Sequence, residues 1–402
     1  MGENTAAAGM DWRVMLFTTL VSWGAGILFG LVPAWYASRA DLAAVLRAGP
    51  GTGLRLRRMR SALVVVETAL AVVLLIGAAL LIRTSLALRA VDPGFDGRNV
   101  LTLRMPVAEQ RLANTAALNQ LIGEGVRGME SVPGVTRAAA SFRLPLEGFF
   151  GVPYAIPGRT PTNGPFEGRG WLPVSVAFFD VLGIPLIDGR DFDDRDAANA
   201  ARVAIINETM AKRYWPGRSA IGERILTGHG YGPLFAEPAR QIIGVVGDVH
   251  DFSLSADPAP VVYVPIAQVA DGVTALAGSL VPLTWIARTQ GQPLSLSRPI
   301  ERELWRASGG LPVAQVRTME ALVSKSTARA DFHASLLAVF GGVALLLAAI
   351  GIYGVMAYSV QQRTREIGIR MALGAEATHV RNGILSDGMR LATAGAAIGV
   401  AA

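Results

Sequence analysis

Four stretches of the chain lack the usual mixture of polar and apolar positions. Residues 14–38, 62–82 and 334–358 run for 25, 21 and 25 residues, and the only charge in all three is Glu67. A helix crossing a bilayer needs about 20 mostly apolar residues, so each reads as a full transmembrane span. The fourth, residues 391–402, has only twelve residues and reads as a truncated final span. The first run is too long for a signal peptide, and no A-x-A cleavage site follows it. It contains Gly26-x-x-x-Gly30, a pattern that lets helices pack closely.

Between the second and third runs the pattern changes to that of a folded domain. Residues 99–107 (NVLTLRMPV) alternate like a strand, 112–129 have helical periodicity, and 135–142 are extended again after Pro133-Gly134. A second strand–helix–strand unit follows late in the segment. Residues 241–249 and 283–288 read as strands, 294–307 as a helix and 312–316 as a strand. Between the units, at about 150–235, glycine, proline and short strand signals predict an inserted lobe. The expected fold class is an α-helical transmembrane bundle, three full spans plus a truncated fourth, with a large extracytoplasmic α/β domain divided by that lobe.

Composition agrees with a membrane protein. Of 402 residues, 51% are hydrophobic and only 17% charged, against about a quarter charged in soluble domains. The chain has no cysteine, which excludes disulfides, thiolate nucleophiles and Cys-based metal sites. Charge placement orients the spans. Arg39, Arg47, Arg55, Arg57, Arg58 and Arg60 face only Asp41 between the first two runs, which puts this loop in the cytoplasm. Alternation brings residues 361–390 to the same side, with five arginines against Glu366, Glu376 and Asp387. Residues 83–333 are then outside, and their 25 basic and 24 acidic residues nearly balance. The net charge of +6 therefore gathers near the membrane lipid, and no nucleic-acid partner is expected.

Candidate chemistry is sparse. A nucleotide-binding P-loop needs G-x-x-x-x-G-K-[ST], and neither Lys212 nor Lys325 fits it. GHGYG at 228–232 runs into Pro233 and reads as a turn. The acidic run DGRDFDDRD at 188–196 lacks the glycine and glutamate of a calcium loop. The histidines are scattered, with His250 beside Asp248 and Asp251 in DVHD, and no G-x-S-x-G is present. Asn207-Glu208-Thr209 matches a glycosylation sequon. No catalytic residue, metal ligand or cofactor is assigned. Glu67 stands apart, because a carboxylate inside a span costs a few kcal/mol and faces the bundle interior or water. A structural hydrogen bond and a proton relay are both open to it.

The segment TREIGIRMALGA at 364–375 follows the third run directly. Ile367, Met371 and, with some offset, Leu373 give it an apolar edge. Glu366 and Arg370 are spaced i, i+4, and Gly374 is placed to end a helix. From the residues alone, docking on a partner protein and lying on the lipid surface are both open.

RTREIGIRMALGA at 363–375, preceded by GIYGVMAYSV at 351–360, closely resembles the FtsX-like, MacB-type permeases of ABC transporters. LVVVETALAVVLLIGAALLIRTSLALRAVDPGFD at 63–96 resembles that family's first span and its exit into the periplasm. VPGV at 132–135, LGIPLIDGRDF at 182–192, INETMAKRYWPG at 206–217, IGVVGDV at 243–249 and VYVP at 262–265 resemble segments of its periplasmic region, in order. FGLVPAWYASRADLAAVLR at 29–47 resembles the closing helix of a permease module, yet it precedes the opening helix of the next. That arrangement is similar to the duplicated, acidobacterial-type permeases.

The resemblance implies four parts. Residues 1–61 hold the last helix of a first module and a basic cytoplasmic linker, and 62–82 a transmembrane helix. Residues 83–333 form the periplasmic core domain. Residues 334–402 form a permease domain with helix 334–358, coupling segment 361–390 and truncated helix 391–402. It implies that Arg365, Glu366, Ile367, Gly368, Arg370, Met371, Leu373 and Gly374 meet a partner ABC ATPase, and that the chain itself performs no catalysis. A dimer or pseudo-dimer of modules and a periplasmic adaptor are implied partners. The implied role is ATP-driven export of hydrophobic compounds, peptides or lipoproteins from the inner membrane. Two other classes remain: a non-transporting regulator of envelope hydrolases, and a membrane-tethered hydrolase.

Overall fold

A computed structural model describes residues 12–27, 52–108, 114–159, 167–228, 237–373 and 376–402. These fall into two compact units, Met1–Ile76 with Ala338–Ala402, and Gly77–Leu337.

The second unit is built on one mixed sheet. Its strands are β1 (Val100–Met105), β2 (Val135–Ser141), β3 (Tyr154–Ala155), β4 (Trp171–Val174), β5 (Leu186–Gly189), β6 (Val203–Asn207), β7 (Arg224–Thr227), β8 (Arg240–Val246), β9 (Val262–Pro265), β10 (Leu283–Thr289) and β11 (Ala314–Thr318). Their spatial order is β11-β1-β10-β2-β4-β9-β6-β8-β7-β3, with β5 beside β8. The first four are antiparallel to their neighbours, with Leu103 opposite Trp285 and Trp285 opposite Ala140. Helix α3 (Thr115–Glu130) joins β1 to β2, and helix α7 (Ser297–Ser308) joins β10 to β11. Two strand–helix–strand units thus interleave as a split βαβ arrangement.

The alternation along the strands dictates this layering. Leu101, Leu103, Met105, Ala138, Ala140, Leu283, Trp285 and Ala287 point to one face, where Leu118, Leu121 and Ile122 of α3 and Ile300 and Leu304 of α7 cover them. Val100, Ala139 and Ile286 point to the other face and meet Phe178, Val181 and Leu182 of α4 (Phe178–Leu182). Helix α3 begins where Asn114 accepts a 2.7 Å bond from the Ala117 amide. It crosses directly over Trp285, and a Cβ at Gly125 would lie 2.3 Å from the indole.

Residues 150–228 and 237–265 continue the same sheet. β4 runs parallel to β9 and β6 parallel to β8, while β7 pairs antiparallel with β8 through Arg224–Gln241 and Ile225–Arg240. The last of these pairings spans the boundary expected near 235. A third apolar cluster, containing Tyr154, Trp171, Ile206, Met210, Trp215, Ile242 and Val264, lies on this part of the sheet. Short helices α5 (Glu208–Tyr214) and α6 (Asp271–Leu280) complete the unit.

Helix α1 covers Trp12–Gly26, α2 Thr52–Ala90, α8 Met319–Ala372 and α9 Ala377–Ala401. Among the described residues two helical stretches are long and apolar enough to cross a membrane, Ser61–Ala90 and Asp331–Gln361. The expected first span is described only as far as residue 27, and its apolar core is Met15–Gly24. Helix α2 already begins at Thr52, within the expected basic linker, and α9 begins at Ala377, within the expected coupling segment.

In the first unit, α2 packs against α8 and α9 through glycines. A Cβ at Gly395 would lie 2.6 Å from the Thr68 Cβ and 2.8 Å from the Val65 carbonyl oxygen, and one at Gly399 2.6 Å from the Ala69 carbonyl oxygen. Gly395-x-x-x-Gly399 is therefore a close helix contact. At Gly341 the nearest atom to an added Cβ is Leu75 Cδ2, at 3.0 Å. In the second unit, Ser85 and Arg89 of α2 both bond Asp331 of α8, the arginine at 2.8 Å.

Candidate coupling site

Helix α8 does not stop after its apolar stretch. Residues 361–372 contain neither proline nor a run of turn formers, so the i to i+4 ladder propagates to Ala372. Thr364 bends its hydroxyl back onto the Val360 and Gln361 carbonyls at 2.9 and 3.0 Å, which satisfies it within the helix. The first part of the expected coupling segment, up to Ala372, is thus the end of α8. Arg365, Glu366, Ile367, Gly368, Arg370 and Met371 all lie on it. Leu373 follows, with its amide bonded to the Ile369 carbonyl at 3.0 Å. Gly374 lies outside the described residues.

The expected apolar edge is divided by the structure. Ile367 is half-buried and lines a cavity of about 380 Å³ in the first unit. Met371 and Leu373 are 50% and 82% exposed, and Ile369, absent from the expected set, is 56% exposed. Among the described residues, Gly368 has open space beside it, with nothing within 4 Å of an added Cβ. The helix end therefore presents large apolar side chains to its surroundings next to a vacant glycine surface. It can supply a contact face.

Glu67 is half-buried on α2, and a Cβ at Gly351 of α8 would lie 3.2 Å from its Oε2. The carboxylate thus sits at the α2–α8 seam. Gly26 is the last residue of α1, and Gly30 lies outside the described residues. Among the described residues, Gly395 and Gly399 form a glycine pair brought against another helix. The signal that could have found it, the same G-x-x-x-G spacing, stands in the fourth apolar run.

The acidic run and the sequon of the second unit are internally engaged. Arg190 forks onto both oxygens of Asp196 at 2.8 Å, and Arg195 holds Asp193 at 2.6 Å. The Arg195 side chain lowers the exposed Asp193 carboxyl to about 2. Asn207 of the sequon is buried, caps α5 toward the Met210 amide, and donates to Asp248 at 2.7 Å and the Ala259 carbonyl at 2.8 Å. Asp248 also accepts from the Thr209 amide and hydroxyl, each at 2.8 Å. His250 places Nδ1 2.7 Å from the Ala256 carbonyl oxygen. Burial, and then the Asp248 charge, push Asp251 up to about 7. Among the described residues, no group of three or more His, Asp or Glu side chains is arranged to hold a metal ion.

Comparison with known proteins places these features. The MacB-like periplasmic core domain family matches residues 14–287, and the FtsX-like permease C-terminal family matches 338–402. The chain is 27% identical over 316 residues to the macrolide export ATP-binding/permease protein MacB of Azoarcus sp. (strain BH72), covering 76% of this chain and 43% of that protein. It is 27% identical over 227 residues to the pyoverdine export ATP-binding/permease protein PvdT of Pseudomonas putida, covering 56% and 33%. The chain thus spans less than half the length of these relatives. Among solved structures, the periplasmic region of MacB from Actinobacillus actinomycetemcomitans aligns with a TM-score of 0.38 at 13% identity, over 58% of this chain and 94% of that one. Since the core-domain match alone takes in well over half of the residues, the chain belongs to the MacB-like periplasmic core domain family and carries an FtsX-like permease region at its C-terminal end.

Proposed function

We propose that this chain is a permease component of an ABC exporter, moved by a separate ATPase and performing no catalysis of its own. The observation that carries the reading is the coincidence of two features at one place. The FtsX-like region covers 338–402, and within it the end of α8 exposes Ile369, Met371 and Leu373 beside the open Gly368. Exposed apolar side chains on a stiff helix end are what a groove on a partner protein binds. Arg365, Glu366, Arg370 and Gly374 complete the proposed contact.

The rest of the reading follows from that contact. ATP binding and hydrolysis in the partner shift the end of α8, a single helix of 54 residues, and the motion reaches residues 83–333 on the outer side of the inner membrane. The bundle comprises spans at 14–38, 62–82 and 334–358 and a further helix at 391–402, with the lobe at about 150–235 inserted in the outer domain. A second module, as a dimer or pseudo-dimer, and a periplasmic adaptor complete the machine. The relatives named for macrolide and pyoverdine export support hydrophobic compounds or peptides as the transported class, with lipoproteins next.

The test is ATPase stimulation in vesicles that carry the permease and its ATPase. Gly368→Trp fills the space that the partner backbone approaches. Glu366→Arg replaces an i, i+4 attraction worth about 0.5 kcal/mol in an isolated helix, whereas a like-charge contact in a docked interface costs several kcal/mol. Both variants are expected to lower stimulation at least tenfold while inserting normally. Wild-type stimulation in both removes this segment as the coupling element.

A further inference from the structure

Near the β11 edge of the sheet, three arginines gather around a single carboxylate. Arg317 of β11 stands opposite Thr102, two positions before Arg104 on β1. Directly opposed residues share a face of the sheet, as do alternate residues of a strand, so Arg104 and Arg317 rise from the same face. The Glu147 carboxylate bonds Arg104 and lies 3.6 Å from Nη2 of Arg317, while Nη1 of Arg143 donates to the Glu147 carbonyl at 2.8 Å. The loop that carries Glu147 is tied down on both sides. The Leu146 amide donates to the His250 carbonyl at 3.0 Å, and the Gly148 amide to the Asp251 carbonyl at 2.7 Å.

The charges of this cluster do not balance. The side chains of Arg104, Arg317 and Glu147 are only 22%, 24% and 14% exposed, so water screens them weakly. Arg143 has its guanidinium carbon 5.3 Å from the centre of the Phe150 ring, and among the described residues its buried Nε has no partner. The buried Thr284 hydroxyl, on the same face opposite Arg104, likewise has none. Arg317 also bonds the Gln315 side chain at 3.1 Å, a neutral contact that compensates no charge. Burial, opposed by the Glu147 charge and reinforced by Arg317 and Arg143, lowers the Arg104 pKa, yet a guanidinium stays protonated. A network that only pinned the loop would match its cations with carboxylates; this one is two negative charges short. We propose that the cluster binds a doubly charged phosphate group, as inorganic phosphate or as a phosphomonoester. Guanidinium forks match phosphate oxygens, and a dianion brings the cluster to neutrality with Glu147 still in place, whereas a carboxylate leaves one charge unmet. The site lies wholly within the sheet unit, so it depends neither on an ATPase nor on the orientation of the spans.

The experiment is equilibrium dialysis of the full chain in dodecyl maltoside, a phosphate-free detergent, against radiolabelled inorganic phosphate. It is run at pH ~8, above the second phosphate pKa, with no ATPase present, so a failure of the coupling assay leaves it untouched. Wild type is expected to bind one phosphate per chain. Arg143→Gln and Arg317→Gln are expected to weaken binding at least tenfold. Arg306, 69% exposed and paired with Glu303 at 2.6 Å in the same unit, supplies the control Arg306→Gln, expected to bind as wild type does. Should Arg143→Gln lose the wild-type circular dichroism, Arg317→Gln decides alone. Sulfate is expected to displace the phosphate, and acetate at the same concentration to leave it bound. Glycerol phosphate and dioleoyl phosphatidic acid in mixed micelles are compared as competitors. Displacement by the first assigns the group to a soluble ligand, and displacement by the second alone to a lipid head group. Absence of saturable binding by wild type overturns the proposal. So does equal weakening in Arg306→Gln, which assigns the binding to overall charge, and so does acetate that competes as well as sulfate.

Discussion

Asp251 and Asp248 lie three positions apart in one loop, yet their hydrogen-bonding surroundings differ. Asp248 accepts from Asn207 and from both donors of Thr209, so its charge is satisfied. Asp251 is 6% exposed and its Oδ2 has no partner among the described residues. Burial first, and the Asp248 charge second, raise it to about 7. The folded chain thus holds this proton more tightly than the unfolded one, whose carboxyl titrates near 4. The associated stability is full below pH ~4 and is lost as the pH rises toward 7, worth roughly 2–4 kcal/mol at about 1.4 kcal/mol per tenfold change. Asp251→Asn should flatten that part of the pH profile in urea melts followed by tryptophan fluorescence. A variant whose slope between pH 4 and 7 equals that of wild type would show the carboxyl to be ionised in the fold. DVHD reads in the sequence as an ordinary surface stretch with no ligand role, because the partners that satisfy Asp248, Asn207 and Thr209, lie about 40 residues away in the chain.

At the scale of elements, periodicity carried the strands and helices that lie in the split βαβ arrangement. The alternation in 99–107, 135–142 and 283–288 corresponds to β1, β2 and β10, because each strand buries alternate residues in two different clusters. The parallel pairing of β4 with β9 and β6 with β8 was not legible, since short buried strands carry no alternation to register them. The end of α8 was legible as amphipathic but not as continuous with the span, because nothing in 359–372 breaks a helix. The sequence singled out Gly26 and Gly30, of which Gly30 lies outside the described residues, whereas the described contact is at Gly395 and Gly399. G-x-x-x-G occurs in both the first and the fourth apolar runs, and spacing does not say which one faces a neighbour. For Gly399 the nearest atom is a backbone carbonyl oxygen, which no rotamer change can move. Gly399→Leu and Gly395→Leu are each expected to destabilise the bundle by about 1–3 kcal/mol, measured as a lower unfolding midpoint in detergent. Gly342→Leu, in open space, should leave the midpoint unchanged; equal midpoints for all three would remove the α2–α9 contact.

At the scale of the molecule, the division into a helical unit and a sheet unit follows from the hydropathy pattern. Residues 83–333 are nearly neutral, while arginine concentrates at 39–60 and 361–390. The sheet unit buries apolar residues on both faces of its strands, as a self-sufficient core requires. Long stretches of α2 and α8 instead leave Leu70, Leu80, Phe340, Leu346 and Ile350 more than half exposed, which suits lipid as their solvent. The central claim is that a permease holds the end of α8 in the cytoplasm and the sheet unit outside. Since the chain has no cysteine, single cysteines report location without background. Leu373→Cys, at a position 82% exposed, and Asn199→Cys, on an exposed turn, are treated in intact spheroplasts with a membrane-impermeant maleimide. The account predicts labelling at 199 and none at 373 until the membrane is permeabilised. Labelling at 373 with protection at 199 would contradict it.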